Sequence, residues 1–144
     1  MKIKVTVDSQ ELRDALDAMA DDLTAAVGRA TSDALHMVEG MAKTNAPIRT
    51  GRLRGSIRVT GPGGGAGGWS GKVGPHTVYA NIQEFGGVIV PKRVRFLRWV
   101  DAGGEHFARK VTIPAHPYMR PAVGEARPLI GPLYEAAIAK VLEE

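Results

Sequence analysis

The chain has 144 residues, of which 44% are apolar and 24% are charged, and this composition is typical of a single soluble globular domain over residues 1–144. Because it contains no cysteine, disulfides and cysteine-ligated metal sites are excluded. No apolar stretch approaches the roughly 18 residues of a membrane-spanning helix, and the N-terminus lacks the apolar core of a signal peptide. We therefore expect a soluble protein that is made in the cytoplasm and does not enter a membrane.

The net charge of +4 is unevenly distributed along the chain. Residues 1–42 have a net charge of −4, residues 43–120 have +10, and residues 121–144 have −2. A basic middle between acidic ends predicts contact either with nucleic acid or with the acidic part of a neighbouring copy. The alternative is that these charges only form solvated faces.

The first third of the chain is predicted to be one strand followed by a long helix. Residues 2–7 alternate apolar and polar side chains, which predicts a half-buried strand. Asp8 and Glu11 form a capping-box pattern, and Pro47 ends the helix that continues to about Lys43. An apolar stripe with steps of three and four extends along this helix: Leu12, Leu16, Met19, Leu23, Val27, Ala30, Ala34, Val38 and Met41. A small core cannot cover so long a stripe, which suggests that another subunit covers the rest.

The remaining elements are shorter. Alternation predicts a strand over residues 53–60, and the glycine-rich residues 61–68 are expected to form a flexible loop or hairpin tip before a return strand at 69–74. A short helix is predicted over 78–85, strands within 88–100 and 107–113, and a C-terminal helix that starts near Pro121 and is interrupted at Pro128 and Pro132. The predicted fold class is α+β, with a long N-terminal helix packed on a small antiparallel β-sheet and a C-terminal helix.

The sequence offers no set of residues with the spacing of a catalytic or ligand-binding motif. The glycine run lacks the Gly-Lys-Ser or Gly-Lys-Thr of a phosphate-binding loop, and no serine lies in a Gly-x-Ser-x-Gly elbow. The four histidines do not occur at metal-ligand spacing. We therefore predict that the protein is not an enzyme, and we assign no catalytic, cofactor-binding or metal-binding residue.

Two basic clusters make DNA binding one hypothesis for the function of this protein. Candidates for an interface or a DNA-facing surface are Arg49, Arg52, Arg58, Lys92, Arg93, Arg95 and Arg98. Phe96 and Trp99 lie within the second cluster, and such basic–aromatic interleaving is able to follow a nucleic-acid backbone. The strand predicted at 53–60 would instead place its arginines on the wet face of a sheet, and both aromatic residues equally suit a core.

Three stretches stand out in the sequence: Thr50–Ile57, Tyr79–Gly86 and His116–Ala122, the last of which leads into the final helix. Their main residues are Thr50, Gly51, Leu53, Arg54, Ser56, Tyr79, Ala80, Glu84, Phe85, Gly86, Pro117, Met119, Arg120 and Pro121. In this order, the three stretches resemble the tail-completion or head–tail joining (neck) proteins of long-tailed bacteriophages. The long glycine run and the segment Pro91–Arg109 depart from the family pattern.

Physical reasoning gives these residues roles in holding the fold together. We expect Gly51 to permit a turn, Gly86 to end the short helix, and the prolines at 117 and 121 to stiffen the link to the last helix. Tyr79 and Phe85 are expected to pack under the sheet. Glu84 is expected to pair with a basic residue such as Arg54 or Arg120.

The resemblance implies a structural protein of the virion, assembled in the host cytoplasm and located at the neck or the head-proximal end of the tail. Family members of this kind form rings, and a hexamer would match the symmetry of the tail. The implied partners are further copies of the chain, the neighbouring connector and tail proteins, and DNA in the channel. The alternative function is that of a basic DNA-binding accessory protein of a phage or prophage.

Overall fold

The computed structural model describes residues 9–143, so the strand predicted at residues 2–7 and the cap at Asp8 lie outside the described residues. Four helices and six strands follow one another in this part of the chain. They are α1 (Ser9–Asn45), α2 (Arg52–Ser56), β1 (Ile57–Gly65), β2 (Gly68–Pro75), α3 (Ala80–Phe85), β3 (Gly87–Ile89), β4 (Leu97–Asp101), β5 (Gly104–Ala108), β6 (Val111–Ile113) and α4 (Met119–Glu143). The predicted α+β class, with a long first helix, small antiparallel sheets and a last helix, is confirmed.

The described residues divide into two compact units, while the single domain expected over residues 1–144 stays a prediction. The first unit contains residues 9–38, 59–73 and 125–143, and the second contains residues 39–58 and 74–124. The strands pair as three two-stranded sheets, β1–β2, β3–β6 and β4–β5.

The first unit has a core of small side chains. On α1, the buried positions recur in steps of four at Ala26, Ala30, Ala34 and Val38, and α4 contributes Ala126. One face of a helix repeats at this spacing, and small side chains allow neighbouring backbones to approach closely. Ala30, Ala34 and Val38, in the C-terminal half of the predicted stripe, are therefore confirmed as core.

Two polar contacts hold this unit together. The Thr31 hydroxyl donates to the carbonyl of Val27 at 2.8 Å and lies 2.6 Å from the Tyr134 hydroxyl of α4. Because the single proton of Thr31 is already donated, the Tyr134 hydroxyl is the donor in the second bond. The Trp69 indole of β2 donates to the carbonyl of Thr24 at 3.0 Å, so the β1–β2 hairpin is fastened to α1.

The glycine run forms part of a hairpin in the structure. Strand β1 extends to Gly65 and β2 begins at Gly68, which confines the turn to Ala66 and Gly67. The predicted hairpin and return strand are therefore confirmed, but the tip is shorter than the predicted residues 61–68, because residues 61–65 belong to β1. The flexibility expected for residues 61–68 stays a prediction.

The second unit contains a nested pair of hairpins. The outer pair aligns Gly87 with Ile113, and the inner pair aligns Leu97 with Ala108. The turn predicted at residues 101–104 joins β4 to β5, and there the Gly103 N–H donates to the Asp101 carboxylate at 2.8 Å. The core of this unit consists of Ala42, Ala46, Leu53, Ile57, Ala80, Tyr118 and Ala122.

The prediction of a strand starting at residue 53 is wrong, because residues 52–56 form the short helix α2. The wrong prediction arises because the two buried residues Leu53 and Ile57 are four positions apart. This spacing places two residues on the same face of a helix and also on the same face of a strand. Gly51 starts the helix with a left-handed φ of 73°, and the Gly55 N–H donates to its carbonyl at 2.8 Å.

The predicted interruption of the C-terminal helix is also wrong, because α4 continues through Pro128 and Pro132. Each proline removes one hydrogen bond to the carbonyl four residues earlier. Those carbonyls belong to Gly124 and Pro128, and both residues are exposed, so the unpaired carbonyls are open to solvent. The solvent-facing side of a helix tolerates proline better than its packed side does.

Candidate interaction surfaces

The second and third family-like stretches meet at the side chain of Glu84. This residue is on α3 and only 5% exposed. Its carboxylate accepts three backbone hydrogen bonds, from the N–H groups of Tyr118 at 2.7 Å, Met119 at 3.0 Å and Arg120 at 3.1 Å. These groups lie at the start of α4, where backbone donors have no partner within the helix. Glu84 therefore caps α4 from a distant part of the chain, and we call this arrangement the Glu84 clamp.

The charge of the Glu84 clamp is set by competing effects. Burial is the largest of them and raises the pKa of Glu84. The three backbone donors, followed by the charge of Arg120, lower it, and together they prevail, so the pKa lies below its ordinary value of 4.5. The positive end of the helix dipole favours the same ionised form. Burial likewise raises the pKa of the neighbouring Tyr118, whose side chain is fully enclosed.

Arg120 and Phe85 lie at the outer edge of the clamp. The Arg120 Nε lies 3.6 Å from the Glu84 carboxylate, and its guanidinium lies 4.9 Å from the centre of the Phe85 ring. Of the two partners expected for Glu84, the structure thus shows Arg120 and, within the described residues, not Arg54. A further bond from the His116 N–H to the Gln83 carbonyl, at 2.8 Å, joins the same two stretches.

The expectation that Tyr79 and Phe85 pack under a sheet is wrong. Phe85 is 62% exposed and Tyr79 is 38% exposed, whereas Ala80 and Glu84 are the buried residues of α3. Sequence reasoning places the aromatic ring inside and the acid outside, because an isolated buried carboxylate is costly. For Glu84, the three N–H donors at the start of α4 offset the cost of burying the carboxylate.

The other motif residues have structural roles in the same unit. Ser56 donates its hydroxyl to the Leu53 carbonyl at 2.7 Å, and Gly86 ends α3 with a φ of 70°. Pro121 is in the first turn of α4, where a missing N–H costs no helical hydrogen bond. Pro117 precedes that helix and is exposed.

The first and second stretches line a groove of about 560 Å³ in the second unit. Thr50, Gly51 and Leu53 contribute from the first stretch, and Tyr79 contributes from the second. Arg49 and Arg52 lie beside them and are exposed. The structure therefore brings two of the predicted interface arginines to one site.

The remaining predicted basic residues are exposed at several places. Arg54 is on α2, Arg58 on β1 and Arg98 on β4, where Arg98 forms an ion pair with Glu105. Residues 92, 93 and 95 lie in the exposed segment between β3 and β4. These residues do not line the groove.

The β4–β5 hairpin carries an aromatic and polar cluster that sequence reasoning missed in part. Trp99 and His106 are register partners, and their rings stack with centroids 5.2 Å apart. His106 also lies 2.9 Å from the Asp101 carboxylate, whose pKa is lowered first by the Gly103 N–H and then by His106. Hairpin register supplies the missing signal, because it places Trp99 opposite His106 once the turn at 101–104 is fixed.

Within residues 9–143, no helix is long and apolar enough to cross a membrane. In the same range, no group of three or more histidine, cysteine or acidic side chains is arranged to hold a metal ion.

The three family-like stretches thus consist of caps, turns and clamps, and the surfaces beside them are apolar or basic. Such an arrangement is typical of a structural subunit that contacts other molecules. Residues 10–86 match the family model described as "Bacteriophage HK97-gp10, putative tail-component", and this match covers just over half of the chain. The chain belongs to this HK97-gp10-like family of bacteriophage tail components. No curated protein and no solved structure matches it.

Membership in this family confirms the resemblance seen in the sequence and establishes the general role of the protein. The protein is a structural component of a bacteriophage tail, is located in the virion and interacts with other tail proteins. The matched region contains the stretches Thr50–Ile57 and Tyr79–Gly86, and it ends before His116–Ala122.

Proposed function

We propose that the chain forms a homo-oligomeric ring at the head–tail junction or at the head-proximal end of the tail. There it is needed for tail completion or for the joining of heads to tails. A hexameric ring would match the symmetry of the tail. Its neighbours are the connector and tail proteins, and assembly takes place in the host cytoplasm.

The observation that carries this proposal is the separation of exposed charge along the described chain. Residues 10–22 of α1 are exposed and acidic, with the acids Glu11, Asp14, Asp17, Asp21 and Asp22 against one base, Arg13. The second unit exposes the basic residues described above. Opposite charges at two places on one chain favour a head-to-tail contact between copies, and a repeated contact of this type closes a ring when its rotation is suitable.

Inactivation of the gene in the phage or prophage that encodes it tests the proposal. The expected lysate contains DNA-filled heads and separate tails that fail to join, or tails of faulty length, and a plasmid copy of the gene restores infectious particles. Normal, infectious particles in the lysate of the inactivated phage would defeat the proposal.

A second candidate function, DNA binding, has one observation in its favour. Phe96 is 39% exposed and Trp99 is 38% exposed, and the guanidinium groups of Arg95 and Arg109 lie 5.7 Å and 5.5 Å from the centre of the Phe96 ring. Basic groups beside exposed rings are suited to nucleic acid. Salt-sensitive retardation of duplex DNA, abolished by Arg95→Ala with Arg109→Ala, would support this function.

A further inference from the structure

The groove in the second unit has an apolar floor and a basic rim. Its floor is formed by Leu53, Tyr79, Ile82, Ile89 and Ile113, and its rim includes Arg49 and Arg52. None of the described residues that line it is acidic. Its volume of about 560 Å³ is within the range of clefts that bind compact apolar ligands. The groove therefore suits a ligand that is apolar on one side and negatively charged beside it.

The first part of α1 has the complementary surface. Leu12 is 57% exposed, Leu16 is 56% exposed and Met19 is 41% exposed, although their spacing places them on one helix face. At about 100° per residue, Glu11 and Asp22 lie on one flank of this stripe, and Arg13 lies on the other. The large side chains that the sequence predicted to be core are thus left in solvent, with acids beside them.

Helices that bind in grooves are recognised by apolar side chains at positions i, i+4 and i+7, which is the spacing of Leu12, Leu16 and Met19. A nucleic acid would use the arginines of the groove but would leave its apolar floor uncovered. An acidic amphipathic helix satisfies both parts, and the described chain contains such a helix. Charge complementarity therefore identifies the occupant as a second copy of this chain.

We propose that the first part of α1 of one copy docks in the groove of a second copy. Leu12, Leu16 and Met19 enter the apolar floor, and the flanking acids of α1 lie beside Arg49 and Arg52. The donor helix and the acceptor groove are different surfaces, so the contact is head-to-tail and each copy retains one free helix and one free groove. This inference rests on the proposed ring, because it names the contact between neighbouring subunits.

A cysteine cross-link tests the contact directly, since the natural chain contains no cysteine. Two proteins with different tags, one with Leu16→Cys and the other with Gln83→Cys in the groove, are mixed and oxidised. The same pair is co-expressed during phage growth, and the particles are oxidised. We expect a disulfide-linked heterodimer in both samples. The matched control pairs Leu16→Cys with Val123→Cys, which is 50% exposed and does not line the groove, and should give none.

Each other result of the cross-link overturns the inference. A third protein carries both Leu16→Cys and Gln83→Cys, and linkage confined to this single chain, without the heterodimer, would mean that the helix docks within its own copy. Linkage of Gln83→Cys to a different phage protein would give the groove another occupant. Rings in the particles without the heterodimer would leave the proposed function standing and defeat this contact, whereas particles without any ring of this chain would defeat both.

Charge reversal with rescue supplies an independent test. Arg49→Glu with Arg52→Glu should weaken self-association, measured by sedimentation, at least about tenfold, because like charges would then face each other across the contact. Arg29→Glu with Arg127→Glu makes the same change in net charge at exposed positions outside the groove and should leave association within about twofold. Mixing the groove variant with Glu11→Lys, Asp22→Lys protein should restore association. Equal weakening by both arginine pairs, without rescue, would overturn the inference.

Discussion

The carboxylate of Glu84 accepts a hydrogen bond of 2.7 Å from the backbone N–H of Tyr118, which is 34 residues further along the chain. Two more donors from the first turn of α4 complete the Glu84 clamp. Helix caps are normally supplied by a residue next to the helix. Here the cap comes from α3, so the start of α4 is held in place by tertiary structure.

Glu84→Gln should destabilise the protein by about 1–3 kcal/mol, because the amide NH₂ would face backbone donors and the charge would be lost. Urea unfolding followed by circular dichroism measures the effect. Glu125→Gln on the exposed side of α4 is the matched control and should change stability by less than about 0.5 kcal/mol. Equal stability of the Glu84 variant and the natural protein would show that the clamp contributes nothing.

The lowered pKa of Glu84 makes stability depend on pH in a defined direction. In the unfolded chain the carboxyl has its ordinary pKa of 4.5, so on acidification the unfolded state takes up a proton before the folded state does. The contribution is complete above that value and is lost as pH falls through the lowered folded-state pKa. The stability difference between natural protein and Glu84→Gln should therefore shrink as the pH is lowered below about 4.5. A difference that stays constant over this range would contradict the assignment.

Gly28→Ala should destabilise the first unit. A β-carbon at Gly28 would lie 2.7 Å from Cζ2 of Trp69, whose indole is held by its bond to the Thr24 carbonyl. The ring has to move, so we expect a loss of about 1–3 kcal/mol in spite of the better helix propensity of alanine. Gly40→Ala is the control on the same helix: nothing lies within 4 Å of its added carbon, and stability should rise by about 0.5–1 kcal/mol. Two changes of the same sign would refute the packing argument.

Tyr134→Phe should cost about 0.5–1.5 kcal/mol, because it removes the donor to Thr31 and leaves the ring in place. Thr31 keeps its bond to the Val27 carbonyl, so its hydroxyl is not left without a partner. Thermal unfolding of the variant gives the measurement. An unfolding temperature equal to that of the natural protein would show that this hydrogen bond does not stabilise the first unit.

Local sequence patterns predicted the elements that local physics determines. The helix ending before Pro47, the short helix ending at Gly86 and the turn at residues 101–104 all follow from the properties of proline, glycine and the turn residues. The pattern of Leu53 and Ile57 was ambiguous, since a spacing of four fits both periods. The burial of Glu84 was not predictable, because its three hydrogen-bond donors come from a helix that is distant in sequence.

The surfaces were predictable only in part. Charge counts indicated an acidic first helix and a basic middle, and the structure leaves both exposed. The sequence did not indicate which part of the apolar stripe is covered, since Leu12 and Ala30 occupy equivalent positions in the pattern and only packing distinguishes them. The groove likewise depends on the fold, because its residues come from segments as distant as Pro47 and Ile113.

Electron cryomicroscopy of purified phage particles that carry a tagged copy of the chain tests the central claim most directly. A ring of copies at the head–tail junction or at the head-proximal end of the tail is the predicted result, with α1 of each copy lying against its neighbour. Particles in which the tag is absent from this region, or is distributed along the tail or bound only to DNA, would contradict the account.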